Sequence, residues 1–355
     1  MFPRISKKIF QKLALSLIGI ILGMVILEGG LWITGFSGSS HGFSHMEFDS
    51  ELGWTTPKSF KSFHSFRHSA HFSYFNPDGF PATAEQWQST SDRQSPSIAF
   101  VGDSFTEGYY IPYESTFVNL VDMKFPNQQT INLGVTGFSP DQYLIQSRRY
   151  IGEFNVTNIV VMFFAANDVP EALVEISNGF SKPVFDNPED SPVNLPLVRR
   201  SGPSGSSNPF RKIQNKSAIF AIVRPVLNQY VLSPLGFGEK SIFNANKIVP
   251  EAFSESDIMW SATLIKQISI EHPDADFFVY YIPRLEEFQA REIFDSNANL
   301  FLASCEELEM ECFTATEIFD LVDDPADVYL PFDGHFSELG SSLVADQLSA
   351  ILRAQ

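Results

Sequence analysis

The run Ile98-Ala-Phe-Val-Gly-Asp-Ser-Phe-Thr-Glu-Gly108 constrains this chain more than any other stretch. A short apolar strand enters a Gly-Asp-Ser turn and leaves into a helix-like segment. A serine on such a turn is exposed, rigidly mounted and next to free backbone N–H groups at a helix start. Those are the requirements of a nucleophile, because a serine hydroxyl is weak until a base takes its proton and donors hold the oxyanion it creates. The alternative is that Ser104 only caps the helix that follows, since Ser is a preferred N-cap residue.

Three later segments bear on that choice. Thr130-Ile-Asn-Leu-Gly-Val-Thr-Gly137-Phe-Ser-Pro-Asp is a strand running into a glycine-bearing loop. Asn158-Ile-Val-Val-Met-Phe-Phe-Ala-Ala-Asn167-Asp168-Val reads as a buried strand ending on a polar pair. Tyr329-Leu-Pro-Phe-Asp333-Gly334-His335-Phe-Ser-Glu-Leu-Gly brings an acid and a base close together. Each has a plainer reading as a turn glycine, a strand-ending turn or a loop histidine. Their conjunction, in this order and at strand ends, favours a site built of a nucleophile, a loop N–H, an amide and an acid–base pair.

With these four blocks in order the chain resembles the SGNH (GDSL-type) hydrolase superfamily. The resemblance covers Ile98 to Val169 and the last twenty or so residues, and is thin between them. It implies Ser104 as nucleophile, and an oxyanion hole made of the backbone N–H groups of Ser104 and Gly137 and the side-chain amide of Asn167. It also implies His335 as general base, with Asp333 orienting the imidazole. The family usually places its acid three residues before the histidine, where this chain has Phe332, so Asp333 stands one position closer. Branches that modify cell-surface polysaccharides look similar in using Asp-x-His. Thr106 occupies the second glycine's place in a Gly-x-Ser-x-Gly elbow, which argues against the α/β-hydrolase fold.

The spacing predicts core strands at Ile98–Val101, Thr130–Leu133, Ile159–Phe164 and Phe277–Ile282, with helices at Ser115–Lys124, Asp141–Ile151 and Asp257–Glu271 between them. Apolar strands alternating with helices predict a three-layer α/β/α fold around a parallel sheet, flavodoxin-like in the resembling family. The organisation expected is a cytoplasmic tail at 1–12, an anchor at 13–36, an extension at 37–95, and a hydrolase domain at 96–355 with an insertion at about 171–256. The insertion is rich in Pro, Ser, Asn and Gly, with Ser201–Pro209 a flexible loop. Leaving the strand that carries Asn167, it is either a lid or acceptor surface, or a simple surface excursion.

Leu13–Phe36 carries one charge, Glu28, and is preceded by Arg4, Lys7, Lys8 and Lys12. As a helix it is long enough to cross a bilayer, and the basic flank predicts a cytoplasmic N-terminus with everything after Phe36 exported. A cleaved signal peptide is the competing reading, with Ser37-Gly-Ser-Ser as a weak cleavage site. Glu28 is expected near the outer interface or paired with a neighbour, and Trp32 suits that interface. The net charge of −18 argues against nucleic acid and against adhesion of the domain to anionic lipid.

In 37–95, alternation in Arg67–Phe75 predicts a strand in a decoration beside the core. His64 and His68 stand four apart, which would suit a metal only on a helix, so neither metal nor cofactor is expected. Cys305 and Cys312 form a disulfide or lie on different faces, two outcomes left open. The function expected is ester hydrolysis or O-acyl transfer outside the cytoplasm on a small or polysaccharide ester, through an acyl-serine. The alternative is a non-catalytic binding or assembly module of the cell envelope.

Overall fold

A computed structural model of the protein describes residues 7–34, 45–66, 69–199, 217–227, 230–231, 252–289, 291–315, 318, 321–330 and 333–355. The chain opens with helix α1 (Lys7–Ile33), whose stretch Gln11–Ile33 has a mean hydropathy of 2.2 and is largely exposed, with no fully buried residue. At 1.5 Å per residue that stretch is about 35 Å long, enough for a hydrocarbon core of about 30 Å. The helix begins before the expected Leu13, and Thr34 ends it by donating its hydroxyl to Leu31 O at 2.8 Å. Expected anchor residues 35 and 36 lie outside the described residues.

Five short strands follow: β1 (Glu47–Asp49), β2 (Gly53–Thr55), β3 (Phe60–Phe66), β4 (Ser69–Phe75) and β5 (Pro81–Ala82). Strand β3 pairs antiparallel with β4, and β4 with β5. The strand expected at Arg67–Phe75 appears as β4, while residues 67 and 68 lie outside the described residues. His64 sits on strand β3 opposite His71, ring centroids 4.8 Å apart, and not on the helix that a His64–His68 pair would need; residue 68 lies outside the described residues.

The core then alternates strand and helix: β6 (Pro96–Gly102), α2 (Ser104–Glu107), α3 (Phe117–Lys124), β7 (Gln129–Gly134), α4 (Pro140–Tyr150), β8 (Asn155–Phe164) and α5 (Ala165–Glu171). The insertion contributes a small hairpin, β9 (Ile176–Ser177) and β10 (Phe180–Ser181), and helix α6 (Ala218–Leu227). Its expected loop Ser201–Pro209 lies outside the described residues. The chain continues through α7 (Glu255–Glu271), β11 (Asp276–Ile282), α8 (Leu285–Gln289), α9 (Arg291–Glu307), β12 (Cys312–Thr314) and α10 (Glu338–Ala354).

Five strands make one all-parallel sheet in the order β12-β11-β8-β6-β7. In chain order this is the 2-1-3-4-5 arrangement of flavodoxin-like sheets, with a topological switch between β6 and β8. Strand residues alternate between two apolar layers. Ala99, Val101, Ile159, Val161, Val279 and Tyr281 face α4, α7 and α9. Ile98, Phe100, Val160, Met162, Phe278 and Tyr280 face α3 and α10. Burial on both faces explains why these strands read as unbroken apolar runs. Thr116, Ser254 and Ser337 cap α3, α7 and α10 through their hydroxyls, and Pro140 opens α4.

Two details of the core sheet and its helices differ from expectation. Edge strand β12 was not anticipated, because three residues inside a Glu-rich stretch carry no readable period. The polar pair Asn167-Asp168 does not end the strand; it lies in α5, one turn beyond Phe164. Cys305 and Cys312 form a disulfide with Cα atoms 6.3 Å apart, tying the end of α9 to β12.

Rather than lying beside the core, the extension is packed into it. Leu52 and Trp54 are fully buried, Trp54 Nε1 donates to Thr136 O at 2.9 Å, and Gln142 Nε2 donates to Leu52 O at 2.7 Å. His45 Nε2 lies 3.3 Å from Glu107 Oε1.

Candidate active site

Ser104 stands at the carboxyl end of β6, directly beside the switch between β6 and β8, where open α/β sheets bind ligands. The cap of α2 is Asp103, not Ser104: Asp103 Oδ1 accepts from Phe105 N at 2.9 Å. The Ser104 hydroxyl is therefore free for another partner, and His335 Nε2 lies 2.6 Å from its Oγ. His335 Nδ1 in turn contacts Asp333 Oδ1.

The short Asp-Gly-His spacing works because Gly334 takes φ of +85°, a left-handed turn that a side chain would strain. The turn is closed by Gly334 N donating to Leu330 O at 3.1 Å and Leu330 N donating to His335 O at 2.7 Å. Tyr110 stacks on the imidazole with centroids 4.0 Å apart, and Phe105 packs beside it at 4.7 Å. The ring is thus held by its acid and by two aromatic neighbours.

Gly137 lines the same pocket with φ of +78°. Its loop is tied to the serine's helix by Thr136 N, which donates to Glu107 Oε2 at 2.5 Å, and to the extension through Trp54. Asn167 also lines the pocket, its Nδ2 donating to Phe138 O at 3.0 Å and to Asp103 Oδ2 at 3.2 Å. Five residues named from the sequence therefore meet around one cavity of about 330 Å³: Ser104, Gly137 and Asn167 on its wall with His335, and Asp333 behind the imidazole.

The electrostatics follow from burial and charge. Burial works to lower the His335 pKa, but the charge and hydrogen bond of Asp333, with the charges of Asp103 and Glu107, together outweigh it and hold the imidazole above its usual 6.5. Burial raises Asp103 to about 6, against the opposing pull of the Phe105 N–H, the His335 charge and the Asn167 amide. Asp168, buried behind Asn167, is pushed well above the carboxylate range by burial and then by Asp103. Tyr143 OH donates to it at 2.7 Å and Phe164 N at 2.9 Å.

Sequence reasoning missed Tyr110, Arg284 and Asn178, which line the pocket as well. Arg284 lies just past the end of β11, and its position at a strand end is the one signal that pointed to it. Asn178 comes from the insertion, which therefore does reach the mouth of the cavity. A hydroxyl, an imidazole and a carboxylate joined in this order can pass a proton from oxygen to Nε2 while the carboxylate steadies the cation.

No protein-family model matches the chain, and no curated protein does. Solved structures do resemble it. A lipase/acylhydrolase from Enterococcus faecalis is 10% identical, with a TM-score of 0.42, covering 73% of this chain and 96% of its own. A lipolytic protein of the G-D-S-L family from Veillonella parvula is 13% identical, with a TM-score of 0.41, covering 74% of this chain and 100% of its own. A GDSL-like lipase from Bacteroides thetaiotaomicron is 11% identical, with a TM-score of 0.35, covering 73% and 89%.

Proposed function

We propose that this chain is an SGNH-type serine ester hydrolase, held in a membrane by α1 with its catalytic domain outside the cytoplasm. The observation that carries the reading is the unbroken line from Ser104 Oγ through His335, 2.6 Å away, to Asp333. In this mechanism Ser104 Oγ attacks the ester carbonyl carbon as His335 Nε2 takes its proton. The N–H groups of Ser104 and Gly137 stabilise the oxyanion. Asn167 joins them by giving up one of its two present acceptors, Phe138 O or Asp103 Oδ2. Collapse expels the alcohol, protonated by His335, and leaves acyl-Ser104. An acceptor hydroxyl then loses its proton to His335, attacks the acyl carbon and regenerates the serine.

Water as acceptor gives hydrolysis; a sugar hydroxyl gives O-acyl transfer through the same intermediate. A cavity of about 330 Å³ edged by Arg284, Asn178 and Tyr110 suits a small acyl group on a polar, carbohydrate-like alcohol. Export is supported by the basic residues before α1 and by the disulfide, which persists in oxidising compartments.

The test is the intact mass of the full-length, detergent-solubilised protein after treatment with a fluorophosphonate. One adduct is expected on the wild type and none on Ser104→Ala or His335→Ala. A folded wild-type protein that takes no adduct would return the chain to the class of binding modules.

A further inference from the structure

Glu28 is the one charged residue in the stretch Leu13–Ile33 of α1, and the structure gives it four donors. Trp32 Nε1 donates at 3.0 Å from the same helix. Ala218 N at 2.6 Å, Ile219 N at 3.1 Å and Ser217 Oγ at 3.1 Å donate from the start of α6. The acid thus caps the positive end of α6, as carboxylates do at helix N-termini. A charge at membrane depth is costly unless paired, and these contacts offset that cost only where α6 begins.

The depth of that contact can be placed along α1. Glu28 lies five residues before Ile33, so α6 starts about 7.5 Å in from the end of the apolar stretch. A span of about 35 Å in a core of about 30 Å protrudes about 2.5 Å at each end, which puts the start of α6 about 5 Å inside the acyl–headgroup boundary, the depth at which interfacial helices lie. The composition of α6 agrees with that placement. Its sequence Ala-Ile-Phe-Ala-Ile-Val-Arg-Pro-Val-Leu holds one charge. Val223 and Val226, three apart on one face, are 46% and 58% exposed, and Tyr230 and Val231 beyond the helix are exposed too. On its other side α6 packs against β3 and β4.

We propose that α6 is a second membrane-docking element, lying in the outer interface of the bilayer with Val223, Val226 and Tyr230 among lipid acyl chains. The occupant of this face is the lipid of the same bilayer that holds α1, because the Glu28 contact makes the two surfaces continuous. The attraction is apolar burial and not charge, in keeping with a net charge of −18. The inference rests on the membrane reading of α1 given above and is independent of the chemistry at Ser104.

Both native cysteines are spent in the disulfide, so single cysteines can be labelled selectively. Full-length protein carrying Val226→Cys, Leu17→Cys or Val193→Cys, each at an exposed position, is labelled with a nitrobenzoxadiazole dye and reconstituted into phosphatidylcholine vesicles. Nitroxide-bearing phosphatidylcholine is then added as a quencher confined to the bilayer. Loss of emission is expected at 226 and at 17, with blue-shifted spectra, and none at 193. Quenching at 17 without quenching at 226 overturns the docking of α6 and leaves the anchor standing, even if 226 is shielded by a second copy. No quenching at either site overturns the membrane reading itself.

Discussion

Gly134 ends β7 against the helix that carries Ser104, and Gly134→Ala tests whether that approach sets the geometry of the site. An ideal Cβ on Gly134 would fall 2.2 Å from Glu107 N, 2.5 Å from Thr106 C and 2.7 Å from Thr106 Cβ. Ordinary contact begins at 3.4 Å, so a gap of about 1.2 Å must open between strand and helix. The two nearest atoms are backbone and the third, Thr106 Cβ, is fixed to it, so no side-chain rotation relieves them. The joint is also strapped: Asn132 Oδ1 accepts from Gly134 N at 2.9 Å while its Nδ2 donates to Thr106 O at 2.8 Å. A shift of that size carries Ser104 Oγ out of its 2.6 Å contact with His335. Misplacement by about 1 Å costs on the order of 10²-fold in turnover, and overpacking costs about 1–3 kcal/mol of stability. Both are read by p-nitrophenyl acetate hydrolysis and a thermal melt of the purified full-length protein. Gly152→Ala is the matched control, since a Cβ there meets nothing within 4 Å. A Gly134→Ala protein with wild-type turnover and melting point would refute the reasoning.

Three further outcomes are expected. Asn167→Ala should lower kcat by about 10²–10³-fold if the amide serves the oxyanion, and an unchanged kcat would reduce it to a brace for Asp103. His335 must be neutral to accept a proton, and its pKa is held above 6.5. The acid limb of kcat/KM should therefore lie above pH 6.5 and move down in Asp333→Asn, with turnover reduced by about 10²–10⁴-fold; a limb that stays put means that Asp333 does not govern the imidazole. The same shift stabilises the fold below pH 6.5, and that contribution is lost as pH rises through the folded pKa. For the disulfide, a separation of seven residues corresponds to about 2.4 kcal/mol of chain entropy. Cys305→Ser with Cys312→Ser should lose about that much in a urea titration, and an unmoved midpoint would show that β12 needs no tie.

Much of the fold was legible because its strands are buried on both faces. Ile98–Val101, Ile159–Phe164 and Phe277–Ile282 are apolar runs, Thr130–Leu133 alternates polar and apolar residues, and all four fall inside core strands. Strand β12 escaped because an edge strand of three residues has too little burial to leave a pattern. The blocks around Ser104, Gly137, Asn167 and His335 were visible as polar residues where apolar runs stop. Their supports were not visible, because they act across large separations. Trp54 reaches Thr136 from 82 residues away, His45 reaches Glu107 from 62, and neither belongs to a motif. Tyr110 is one aromatic among many until the fold lays it on the imidazole.

The burial of His45 against Glu107 has a consequence for where the protein can work. Only ten residues, eleven Cα-to-Cα steps, separate Thr34, at the end of α1, from His45, a side chain seated in the body of the domain. Eleven such steps span at most about 40 Å. With α1 in a bilayer and Glu28 bonded to the start of α6, the site stays within a thin shell over the membrane and never explores the bulk of the compartment beyond it. Freely diffusing esters would meet it rarely, whereas an ester held at the same membrane surface would meet it at high local concentration.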